Sequence, residues 1–143
     1  MDGNYAGRLS PPCGVLIHAM LTDVEPHCGG TNIISGSHRL VHKWFVDHPP
    51  SHGNRSAPMR KNLLQRHPYL RDLCTAGDPV ERIARFCERA ETVDGIPLQV
   101  VENTAAAGDL ILMHLLLLHA VPAAHVGTQP RFLLSTSVQE PYW

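Results

Sequence analysis

The sequence predicts a mostly β chain with a helical insert, and three observations lead there. Apolar runs of strand length, rich in Leu, Ile and Val and bounded by Gly, Pro or Asp, fall at both ends of the chain. Between them, roughly residues 39–92 have helix-forming composition and hold the clearest helix-start signal. No repeat, low-complexity tract or linker divides the 143 residues. They read as one domain, residues 1–143, large enough to bury roughly 70% of its unfolded surface.

Taken in order, residues 16–22 read as a strand, Pro26-His27-Cys28-Gly29-Gly30 as a turn, and residues 31–35 as a second strand closed by Gly36-Ser37-His38-Arg39. A short helix is predicted over 39–46, and the Pro- and Gly-containing stretch 48–54 is a loop. Residues 59–66 are helical in composition and stop before Pro68. Asp78 is a predicted N-cap, with Pro79 at the first helical position and Glu81 three residues on. Val80, Ile83, Ala84 and Cys87 recur at helical spacing, which predicts one face packed on the body and Arg82, Arg85, Glu88 and Arg89 in water.

Strand patterning returns over 98–101, 110–118 and 131–138. The middle run follows a turn at Gly108-Asp109 and is apolar apart from His114, so it is predicted to be one buried strand. That strand delivers His119 to the rim of the core, with Arg131 twelve residues beyond. A neutral imidazole in such a place can ligate a metal, and a guanidinium can clamp a carboxylate through two parallel hydrogen bonds. A lone histidine beside an apolar strand is more often a satisfied structural residue, so the local pattern leaves both readings open.

The order of short motifs along the chain sharpens this. Asp2-Gly3, Leu21-Thr22-Asp23, Gly29-Gly30-Thr31, Ser35-Gly36-Ser37-His38, Gly108-Asp109, His119 and Arg131 together resemble the phytanoyl-CoA dioxygenase family of iron(II)- and 2-oxoglutarate-dependent oxygenases. The resemblance covers nearly the whole chain, although each motif alone is short. It implies a double-stranded β-helix, the jelly roll also seen in cupin-like proteins, in which two facing antiparallel sheets form a funnel. It implies further that Asp2 and His119 ligate iron(II), that Arg131 pairs with the distal carboxylate of 2-oxoglutarate, and that the reaction is hydroxylation of a small molecule. Retention of Asp2 points to hydroxylation, since halogenating relatives lose that carboxylate.

Two departures accompany the resemblance. Ser35 stands where the family usually has proline. The first histidine of the family's His-x-Asp-Gly segment would fall immediately before Met1. With about five clear strands against the eight of a complete jelly roll, the chain is expected to be incomplete at its N-terminus. Three forms of function follow: a fragment of an active dioxygenase, a scaffold of the same family that binds without turnover, or a short active enzyme in which another donor, such as the α-amino group of Met1, replaces the imidazole.

Composition restricts the alternatives. A formal charge of -1 gives no electrostatic case for nucleic acid or a membrane surface. No apolar run approaches the roughly 20 residues that span a bilayer, and Met1-Asp2-Gly3-Asn4 does not open a signal segment, so a cytoplasmic location is expected. Cys13, Cys28, Cys74 and Cys87 form no Cys-x-x-Cys pair and read as free thiols. Arg55, Arg60, Lys61, Arg66 and Arg71 gather in the insert, either as a basic rim for an acidic substrate or as a solvated helix face.

Overall fold

The computed structural model describes residues 14–48, 56–75, 77–122 and 127–139. Its strands are β1 (Gly14–Met20), β2 (Asn32–Ser35), β3 (Glu91–Val93), β4 (Ile96–Glu102), β5 (Leu110–His114), β6 (His119–Ala120) and β7 (Leu133–Gln139). They form two antiparallel sheets, ordered β5-β1-β7 and β3-β4-β2-β6. Between β2 and β3 come helices α1 (Ser37–Asp47), α2 (Ser56–Arg66), α3 (Pro68–Leu73) and α4 (Pro79–Arg82), the last running into a π-helical turn at Ile83–Cys87. The architecture is mostly β and compatible with a β-sandwich carrying a helical insert.

Two cores hold these layers. Alternation along β1 turns Leu16, His18 and Met20 inward. Leu16 joins Met113, Leu115 and Leu117 in a cluster against which Ile33 of β2 packs, so this core lies between the sheets. On the other side of the second sheet, Ile34, Leu98 and Val100 pack with Leu40, Val41, Leu63, Leu70 and Phe86 of the helical insert.

The run 110–118 is not one strand. β5 ends at His114, the chain turns, and β6 begins at His119 in the other sheet. The physical reason is that the leucines serve both cores in alternation: Leu115 and Leu117 enter the intersheet cluster, whereas Leu116 and Leu118 enter the helix-covered one. Side chains satisfy the amides that leave the ladder, Leu116 N–H donating to His114 Nδ1 at 3.0 Å and Leu118 N–H to Ser37 Oγ at 2.9 Å. Leu110 and Leu112 are exposed rather than buried.

The helix start at Asp78 forms as its cap predicts, Oδ1 accepting from Val80 N–H and Glu81 N–H at 2.9 and 3.0 Å. Its packing face differs. Val80 and Ile83 are 74% and 44% exposed, and Phe86 is the buried residue of the segment. The π turn, closed by Glu88 N–H to the Ile83 carbonyl, rotates the side chains away from the phase that 3.6-residue spacing assumes. Nor does Arg82 face water: its guanidinium donates to the carbonyls of Asp72, Leu73 and Thr75, satisfying the C-terminal end of α3.

Gly36, between β2 and α1, has φ of 82°, and a Cβ there would run into the Pro97 carbonyl oxygen. Only glycine fits the corner that aims α1 across the second sheet. Among the described residues, no helix is long and apolar enough to cross a membrane.

A candidate cavity between the sheets

His119 is placed by β6, a strand of two residues registered with β2, where Ala120 lies opposite Asn32 and His119 opposite Ile33. Directly opposed residues of an antiparallel pair share a face, and Ile33 packs on the intersheet cluster, so His119 is turned toward the β5-β1-β7 sheet. Its seat is fixed just upstream by Ile34 N–H donating to the Leu118 carbonyl at 2.9 Å and by the Ser37–Leu118 bond. The ring's Nδ1 lies 3.0 Å from the Leu117 carbonyl oxygen. A proton on Nδ1 donated to that carbonyl places the imidazole lone pair on Nε2, the tautomer a metal ligand requires.

Arg131 precedes β7 and is half-buried. Its neighbour Phe132 is tied to the end of β1, Leu21 N–H donating to the Phe132 carbonyl and Phe132 N–H to Thr22 Oγ1, each at 2.9 Å. Asp23 Oδ1 accepts from Ala107 N–H at 2.7 Å and so holds the turn that opens β5. Thr22 and Asp23 of the Leu-Thr-Asp motif are thus fasteners, joining β1 to two segments distant in sequence.

His119 and Arg131 line one cavity of about 510 Å³. Thr31 and His18 contribute further polar groups, and Val121, Phe132 and Leu133 make an apolar wall. His18 and Thr31 are buried, at 7% and 8% exposure; Thr31 belongs to the Gly29-Gly30-Thr31 motif, whereas His18 was not singled out by sequence reasoning. His18 had a usable signal: it occupies the core-facing phase of β1, two residues from Leu16 and two from Met20, where an aliphatic residue is the norm.

Asp2 and Gly3 lie outside the described residues. Among the described residues, no group of three or more His, Cys, Asp or Glu side chains could hold a metal ion. Apart from Thr31, which lines the cavity, the motif residues Gly29, Gly30, Ser37 and His38 build the scaffold. Ser37 is fully buried as the acceptor for Leu118 N–H. His38 packs its ring against His114, centroids 5.2 Å apart, and burial, then His114 and Arg39, holds its pKa below the ordinary histidine value. The Gly29-Gly30 turn wraps the Glu102 carboxylate, which accepts from His27 N–H at 2.7 Å and Gly30 N–H at 2.9 Å.

Within the basic cluster, Arg66 lies over the Trp44 ring, with Nη1 3.1 Å from His48 Nε2, and Arg71 is near Asp72. Both engage groups other than those lining the cavity.

No protein family, curated protein or solved structure matches this chain.

Proposed function

We propose that the cavity is the co-substrate site of an iron(II)- and 2-oxoglutarate-dependent dioxygenase on a jelly-roll scaffold, as the resemblance to the phytanoyl-CoA dioxygenase family implies. One observation carries the reading: His119 and Arg131, drawn from different segments, line the same cavity between two antiparallel sheets.

The described residues fit part of the donor set. With a proton on Nδ1 directed to the Leu117 carbonyl, Nε2 is the atom by which His119 would ligate the metal, and Arg131 would present a planar fork of donors to a carboxylate. Asp2 is the carboxylate ligand in this scheme, alongside His119. Bound iron(II) would supply a redox-active centre with coordination positions open to a chelating 2-oxoacid and to O₂. The protein's own contribution is positional: Arg131 would hold the far carboxylate of a five-carbon diacid, with Val121, Phe132 and Leu133 as apolar surface beside its carbon chain. In this reading the substrate is a small molecule.

The test is calorimetric titration of 2-oxoglutarate into the chain with manganese(II) as a redox-silent probe, beside an assay of succinate formation with iron(II). Arg131→Lys is expected to weaken binding by about 1 to 3 kcal/mol, because a point charge cannot reproduce the bidentate fork. Binding with turnover supports the enzyme, binding without turnover identifies a non-catalytic binding protein, and no binding removes the reading.

A further inference from the structure

Where the apolar run 110–118 changes sheets, an imidazole takes the place of a ladder bond. His114 is the last residue of β5, opposite Val15. Leu116 N–H donates to its Nδ1 at 3.0 Å, and Leu117 N–H donates to its carbonyl at 2.9 Å. An amide nitrogen only donates, so Nδ1 of His114 carries no proton and the neutral ring holds its proton on Nε2. The buried residues Leu115 to Leu118 lead directly from this ring into β6, so the bond stands just upstream of the cavity wall at His119.

His38 faces the ring from α1, with centroids 5.2 Å apart and planes inclined by 36°. It is half-buried in the first turn of that helix, where aligned amides disfavour a positive charge. Among the described residues, the titratable and charged groups facing the pair are the two rings themselves and Arg39. β1 presents the uncharged Val15, and no salt bridge among the described residues joins either ring to a carboxylate.

We propose that the His38–His114 pair is an acid-sensitive latch on the cavity wall: a proton taken up at His114 Nδ1 sets two donors against each other, releases the Leu116 amide and loosens β6 with the His119 it carries. A charged His114 has no carboxylate to hold it and already borders water, so its ring turns outward. His38 acts in the same direction. Burial, then His114 and Arg39, lowers its pKa from 6.5, so the stability it lends by staying neutral is present above 6.5 and is lost as the pH falls through the lowered value. The latch belongs to the wall and is independent of which ligand the cavity takes.

Amide hydrogen exchange of the full chain, followed by NMR at about pH 7.5 and about pH 5.5 and corrected for intrinsic rates, tests this. Leu116 and Leu118 should lose protection at least about tenfold in acid, whereas Ile17, paired on both sides in the central strand β1, should change less than about threefold. Ring nitrogen shifts should show Nδ1 of His114 unprotonated at the higher pH. His114→Asn offers an amide oxygen in place of Nδ1, an acceptor that mild acid does not protonate, and should keep both leucine amides protected at both pH values. If that variant does not fold, the ring shifts and exchange rates of the wild type decide alone. The proposal is overturned by a protonated Nδ1 at the higher pH, by Leu116 protection that ignores pH, or by an acid loss undiminished in His114→Asn. Loss at Leu116 with Leu118 unmoved overturns it as well, since β6 then stays seated, and so does an equal loss at Ile17, which is general acid unfolding.

Discussion

Tyr69 shows how a residue can be right for a core and wrong by one atom. It is 1% exposed and meets Phe86 edge-on at 5.2 Å, yet its hydroxyl has no hydrogen-bond partner among the described residues. Ring burial outweighs an unmade hydrogen bond, which costs about 1 to 3 kcal/mol. Tyr69→Phe should therefore raise stability by about 1 kcal/mol in urea denaturation. Burial, then Glu91 and Cys87, pushes the phenol up to about 12 from an ordinary value of 10.0. The folded state thus resists forming the phenolate, and the unfolded chain loses its proton first. Wild-type stability should fall as pH rises from 10.0 to about 12, and the Phe variant should lack that component, so its advantage widens with pH.

His18 makes the complementary case. Its row on β1 is otherwise apolar, so His18→Leu keeps the inward-facing pattern of the strand. The same variant should bind 2-oxoglutarate more weakly, because an imidazole would be lost from the cavity lining. Equal affinity in the calorimeter would relegate His18 to the core. His119 stood out in the sequence because it ends an apolar run, and Arg131 because it closes the order of motifs twelve residues later. His18 lay inside an apolar run and was hidden by its neighbours, and Arg82 looked solvent-facing because its three carbonyl partners lie at and just beyond the end of a different helix.

Among the elements, β6 matters most to the site and depends on contacts outside itself. Two residues make no independent strand, and the segment is seated by Ser37, 81 positions away from Leu118. Ser37→Ala removes a fully buried acceptor and strands the Leu118 amide, at a cost of about 1 to 3 kcal/mol. The loss should be read in two ways: a lower urea midpoint, and faster hydrogen exchange at Leu118 than at Val100, which lies in the longer β4 ladder. Uniformly faster exchange at both amides would show that Ser37 supports the whole fold instead. Local signals were readable at this scale. The cap at Asp78 needs only three consecutive residues, and the Gly36 corner only one, so both appear in the sequence. The π turn and the break at His114 were not readable, because each is set by which core the next side chain enters.

At the scale of the molecule, the sequence showed strands at both ends and helices between them, but it did not show how the strands are apportioned. Periodicity reports which side of a strand is apolar and says nothing of its neighbour. That β1 lies between β5 and β7, or that β2 lies between β4 and β6, is decided by pairings across most of the chain. The jelly-roll expectation is met at the coarser level of two antiparallel sheets.

The central place of β1 has a kinetic consequence. Gly14 pairs with Gln139 and Val15 with His114, so the first described strand has no sheet partner until the last quarter of the chain is present. During synthesis at roughly 5 to 20 residues per second, β1 emerges early and must wait several seconds while the helical insert can already condense. Loop closure over such separations precedes any ladder bond, which places folding in the millisecond-to-second range of non-local β proteins rather than the microseconds of helical ones. Stopped-flow refolding should show helical signal first and β5-β1-β7 protection later, and a chain ending before β7 should leave one edge of β1 without its ladder. Until that edge closes, a seven-residue strand with three inward-facing buried side chains is exposed to solvent, and chaperone demand in the cell should fall on β1 before any other segment.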